Sequence, residues 1–247
     1  MNDLRPIFKF IPYNYKFGLF LILLFGIPRF LLVLNANSSG GGYGYVSIIF
    51  ILMSITPFIF LSKDGRRKIG IRKPQNNLWL IYSFLIGILF CGAMFVLANL
   101  FFGDTVSNPF QYISKSYTIP EEALAANKFM FFAMFSMVGM TYSPLGEELL
   151  YRGIVHETFA NQFGENKASI FDSLAFAFTH LAHFGLVFTL GKWAFLPVPA
   201  LFWVAGMFIG SRLFFLSKQK NGSIWGAVVC HAAYNIGMMY FIFYHIF

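Results

Sequence analysis

An all-α, polytopic membrane helical bundle of about seven spans is predicted by three features of the sequence. Hydrophobic residues fill 57% of the 247 positions and charged residues only 11%, with a mean hydropathy of +0.65, oilier than an ordinary water-soluble domain. Several apolar runs reach the roughly 20 residues needed to cross about 30 Å of hydrocarbon as a helix. The basic residues behind the formal net charge of +8 gather in short loops between those runs. That placement marks topology and argues against a nucleic-acid partner. Residues 1–247 read as one integral membrane domain whose partner is the lipid bilayer.

Apolar windows fall near 17–34, 45–62, 78–102, 128–160, 168–190, 195–216 and 223–246. The first follows Arg5, Lys9 and Lys16 but has no small-residue cleavage site after it, so it reads as a retained anchor. It contains Pro28 and Arg29, which predict a kink and an arginine facing protein, water or headgroups. "NANSSGGGYGY" predicts an uncharged, flexible hairpin loop. "KDGRRKIGIRKP" carries six basic residues against one acid, which predicts a cytoplasmic loop held by anionic headgroups. Residues 103–127 form the longest polar connection, and "TIPEEAL" predicts a helix starting near Pro120, because proline and early acids suit a helix N-terminus. The helical pattern then runs to about Phe163, too long for one straight span, with Pro144 and Gly146 predicting a break or kink. Cys91 and Cys230 lie inside apolar runs and predict ordinary burial.

Seven spans put the two termini on opposite sides of the membrane. With the N-terminus inside, thirteen of eighteen Lys and Arg residues are cytoplasmic, and only Lys115, Lys128 and Lys192 lie in outer loops. This satisfies the positive-inside rule and predicts a multi-pass cell-membrane protein with an extracytoplasmic C-terminus.

Against this background a few polar residues stand out. Glu147, Glu148 and Arg152 facing lipid together would cost roughly 8–10 kcal/mol, so they face inward. Glu148 and Arg152 share a helix face at i and i+4, whereas Glu147 points about 100° away and is free for another partner. Two adjacent carboxylates beside one arginine leave a surplus negative charge, the setting of a general base. "FAFTHLAHF" puts Phe176 and His180 on one face with His183 close by, and "CHAAYN" puts His231 and Asn235 one turn apart. A lone buried histidine is more often a hydrogen-bonded core residue than a catalyst. Polar residues brought inward by three separate spans make a stronger case, because an inert bundle gains little from such desolvation.

Glu147-Glu148-Leu-Leu-Tyr-Arg152 fits EExxxR, Phe176-Ala-Phe-Thr-His180 fits FxxxH and His231-Ala-Ala-Tyr-Asn235 fits HxxxN. In this order, on successive membrane segments, they resemble the CPBP family of intramembrane proteases, which includes the type II CAAX prenyl endopeptidases and bacteriocin-processing or self-immunity (Abi) proteins. The resemblance covers roughly residues 140–240, within a catalytic core of about 120–245. It implies an endopeptidase in which Glu147 and His180 activate water, His231 and Asn235 stabilise the oxyanion, and Glu148 pairs with Arg152 to hold the pocket in shape. It also implies a peptide or membrane-protein substrate, such as a CAAX protein, pheromone or bacteriocin precursor. No cofactor is expected; if zinc were used, Glu147, His180 and His231 would be its ligands. A non-catalytic peptide-binding immunity protein or scaffold is the alternative, and a proton-coupled transporter a third class.

Overall fold

The computed structural model describes residues 3–40 and 42–247; Gly41 of the predicted hairpin loop lies outside the described residues. Ten α-helices carry the chain: α1 (Tyr15–Ser39), α2 (Gly44–Phe60), α3 (Lys63–Lys68), α4 (Leu78–Phe102), α5 (Pro109–Ser114), α6 (Glu121–Glu147), α7 (His156–Phe163), α8 (Glu165–Thr179), α9 (Pro197–Asn221) and α10 (Ile224–Phe241). Among the described residues, five stretches are long and apolar enough to cross a membrane: Tyr15–Ser39, Leu78–Phe102, Glu121–Phe163, Pro197–Asn221 and Ile224–Ile246, with Gly44–Phe60 as a shorter apolar helix. The architecture is an all-α membrane bundle.

Local chemistry sets the helix ends. Asn14 caps α1 by accepting from the Lys16 N–H at 3.0 Å, and Gly40 closes the same helix at φ +67°. Pro120 precedes the first residue of α6, and Glu121 and Glu122 complement its N-terminal dipole. Between α9 and α10 the turn needs only Gly222, at φ +73°, and Ser223, whose side chain accepts from the Trp225 N–H.

Two expectations need correction. The helix does not break at Pro144 and Gly146; it runs to Glu147 and passes directly into a π-helical segment, Glu148–Val155. Gly146 serves close packing instead, because a Cβ there would collide with the Phe50 backbone of α2. The window at 168–190 is not one span. α8 stops at Thr179, a 3-10 turn covers His180–Ala182, and Leu186–Thr189 (β1) pairs antiparallel with Lys192–Phe195 (β2), so a small hairpin sits within the helical bundle. α1 keeps Pro28 inside its helix, where the kink is expected.

α10 lies at the centre, packed along α4 and against α6 and α9. The helices come closest at Gly87, where a Cβ would meet the Cys230 backbone and lie 2.8 Å from Ala233 Cβ. Cys91 and Cys230 are both buried and free. The two ends of the bundle differ in charge. At one end Leu4 pairs with Leu61, Lys68 bridges Asp3 at 3.1 Å and Glu157 at 2.8 Å, and Arg72 donates to the Gly222 carbonyl. At the other, Asn37 donates to the Ala182 carbonyl, Tyr43 stacks edgewise on His183, and the Phe188 N–H donates to the Tyr112 hydroxyl.

Candidate active site

Glu147 ends the α-helical part of the long Glu121–Phe163 rod, and Glu148 begins its π-helical turn. π-segments are rare and often mark functional sites, because the wider i→i+5 turn re-aims side chains. Here Glu148 and Arg152 still meet, with Arg152 Nη1 3.3 Å from Glu148 Oε1, and Arg152 also donates to Ser211 of α9. Its guanidinium lies 4.3 Å from the centroid of the Phe176 ring and 5.4 Å from that of Phe214. Glu147, Glu148 and Arg152 are completely buried.

Phe176 explains the spacing of its motif. Its carbonyl accepts the Nδ1–H of His180 at 2.7 Å, and its ring packs 4.3 Å from the His180 imidazole and edge-on to His231. The 3-10 turn after α8 then presents His180 Nε2 to Glu147 Oε1 at 3.9 Å. From α10, His231 Nε2 lies 3.8 Å from the other oxygen, Oε2, while His231 Nδ1 is 2.8 Å from Glu148 Oε1. Ser143, one turn before Glu147, donates to Oε2 at 2.6 Å. Thus one carboxylate stands between two imidazole nitrogens, each at a distance that a single water can bridge.

Asn235 reaches the same cavity, but its amide already donates to the Gly139 carbonyl at 2.8 Å. His231 departs further from expectation. With Nδ1–H given to Glu148, its Nε2 donates to an oxyanion only when the ring is doubly protonated.

Sequence reasoning left Arg29 out of the site. It comes from α1, is 2% exposed, and sets Nη1 2.9 Å from Glu147 Oε1 and 2.9 Å from Thr179 Oγ1. Its contact with Glu147 is a close ion pair without hydrogen-bond alignment. Nη2 lies 3.3 Å from Nε2 of both His180 and His183. The expected surplus negative charge is therefore absent, since two carboxylates face two guanidiniums. Glu147 is not free but paired with Arg29. The available signal was a single arginine in the middle of an apolar run, which a lipid-facing helix would not tolerate cheaply.

The zinc alternative fits these residues poorly. The His180 lone pair and Glu147 Oε1 both meet the Arg29 guanidinium, a fixed cation on the side from which a metal would bind. No three-residue His, Cys, Asp or Glu cluster suited to a metal occurs among the described residues.

A cavity of about 160 Å³ joins these groups, enough for several waters. Arg29, Ser143, His180, His183, His231 and Asn235 line its polar part, and Trp203, Met207, Phe214 and Met239 its apolar part. Tyr43, Ile113 and Tyr117 wall it at the end opposite the basic loops. The cavity thus extends from the motif residues away from the basic loops.

Residues 129–237 match the family model described as type II CAAX prenyl endopeptidase Rce1-like, a stretch that contains every motif residue from Glu147 to Asn235 but not Arg29. No curated protein and no solved structure matches the chain. Over this segment the chain is similar to the type II CAAX prenyl endopeptidases, the likeness that the three motifs also carry.

Proposed function

We propose that the protein is an intramembrane endopeptidase in which Glu147 is the general base. The observation that carries this reading is the position of its carboxylate, 3.9 Å from His180 Nε2 and 3.8 Å from His231 Nε2, two histidines that line one cavity. Water bridging Glu147 and His180 gives a proton to Glu147 while its oxygen attacks the peptide carbonyl carbon. The carbonyl oxygen becomes an oxyanion, for which His231 and the Asn235 amide are the donor set. When the C–N bond breaks, the proton on Glu147 passes to the leaving amine. Glu148 and Arg152 hold the pocket in shape.

No metal enters this scheme, because Arg29 supplies the positive charge beside Glu147 and His180. The substrate is a peptide or membrane-associated protein. With the basic end cytoplasmic, the cavity opens towards the extracytoplasmic side, and the substrate is presented there.

The test uses purified full-length protein in nanodiscs with two fluorogenic peptides, one prenylated and ending in a CAAX box, the other an unmodified hydrophobic peptide. Native protein cleaves at least one, and Glu147→Gln and His180→Ala each lose about 10²–10⁴-fold in rate. Equal cleavage by all three proteins rejects Glu147 as base, and cleavage by none rejects the peptidase reading in favour of a binding protein.

A further inference from the structure

We infer that Arg29 of α1 is a positioning residue of the water-activating pair: it fixes His180 as the neutral tautomer with its lone pair on Nε2, and keeps the Glu147 carboxylate beside it. The inference rests on the reading of Glu147 and His180 given above, but its first support is simple donor and acceptor logic. A backbone carbonyl only accepts, so the 2.7 Å contact between His180 Nδ1 and the Phe176 oxygen requires a hydrogen on Nδ1. A guanidinium only donates, so the 3.3 Å contact from Arg29 Nη2 requires a lone pair on His180 Nε2. Together they leave one state, a neutral imidazole whose basic nitrogen faces the cavity. His183 Nε2 is constrained in the same way by the same Nη2.

The guanidinium is itself held in place. Thr179 Oγ1 accepts from Nη1 at 2.9 Å while its own hydroxyl donates to the Phe176 carbonyl at 2.8 Å, and the Phe50 ring lies 5.2 Å away. One carbonyl, that of Phe176, thus anchors both His180 and the threonine that steadies Arg29. Around Glu147 the charged and titratable groups are Arg29 from α1, His180 after α8, His231 from α10, and Glu148, Tyr151 and Arg152 on the following turn. Arg152 is committed to Glu148 and Ser211. Arg29 is the cation in contact with Glu147, so removing it leaves that carboxylate short of a counter-charge and His180 free to change tautomer.

Two measurements decide the matter. Against a peptide that the native protein cleaves, Arg29→Gln lowers kcat by roughly 10²-fold with little change in KM, as misplacement of a reacting group does. It also moves the acidic limb of the kcat/KM profile to higher pH, while Arg29→Lys restores the limb in part. A folded Arg29→Gln protein with native kcat and an unmoved limb overturns the inference while leaving the peptidase reading intact. Independently of any cleavage, ¹⁵N-histidine NMR of the full-length protein in micelles, with His180→Ala for assignment, reads the tautomer directly. Native His180 gives the neutral Nδ1–H signature at about pH 7, and Arg29→Gln gives a tautomer mixture. An Nε2–H signature in the native protein overturns the inference even if Arg29→Gln fails to fold or no peptide is cut.

Discussion

Arg29 and Arg152 divide the two glutamates between them, and each pairing has its own consequence. Glu148, Arg152 and Ser211 form a buried structural unit, in which removing one charge strands the other. Glu148→Ala should therefore cost about 3–5 kcal/mol of stability. The double variant Glu148→Ala with Arg152→Met should be less destabilised than the sum of its two single changes. Thermal unfolding of the detergent-solubilised proteins measures both, and strict additivity would mean that the ion pair is not a stabilising unit. Glu147 is also paired, with Arg29 at 2.9 Å, but in a different setting. Its neighbours are a serine, two imidazoles across water-sized gaps and one guanidinium, an arrangement suited to moving a proton.

Helix contacts hold these residues in register, and two glycines permit close approaches of the helix backbones around them. Gly146 lets α6 press on the α2 backbone at Phe50, and Gly87 lets α4 press on α10 at Cys230. Alanine at either position should cost about 1–3 kcal/mol through overpacking. Gly139→Ala, where a Cβ meets nothing within 4 Å, should be neutral or slightly stabilising. Melting temperatures of the three variants separate a packing role from a general loss of flexibility. Outside the spans, Lys68 ties α3 to α7 and to Asp3. Burial pulls its ammonium downward, but the contacts with Glu157 and Asp3 more than offset this and raise it above the ordinary lysine value of 10.5. A raised folded value means that this tie is complete below about pH 10.5 and is lost as pH climbs past the raised value. Lys68→Ala should remove that alkaline component of the stability profile.

Taken together, the spans segregate charge by end. Arg67, exposed in the basic loop, and Lys192, exposed on the hairpin, mark the two faces. Because Cys91 and Cys230 are buried, single-cysteine reporters are readable against a quiet background. A membrane-impermeant maleimide applied to intact cells should label Lys192→Cys and leave Arg67→Cys unlabelled. The reverse pattern would place the cavity mouth in the cytoplasm and with it the substrate. Lengths also matter: the 43 residues of Glu121–Phe163 are about twice what the hydrocarbon needs, and the chain bends at Asn127, where φ is −139° and ψ 34°, so the segment projects beyond the membrane and is not one straight span. It can carry Glu147 near the midplane and still reach Lys68 through Glu157 outside.

Hydropathy alone was enough to read an all-α membrane bundle, because burying unpaired backbone in lipid is prohibitive and leaves few alternatives to helices. Motif spacing was likewise legible: 3.6-residue periodicity puts Glu148 with Arg152, and Phe176 with His180, on common faces whatever surrounds them. The short α8 and its hairpin were not, since an apolar run of that length reads equally as a span or as a helix followed by a strand pair. Nor was the π-helical turn at Glu148, which depends on how α6 is held by its neighbours. Arg29 lies 118 residues before Glu147, and no local pattern links them. Only the packing of α1 against the π-segment and the end of α8 brings that guanidinium to the carboxylate, because ion pairing acts through space over a few ångströms and leaves no period in the chain.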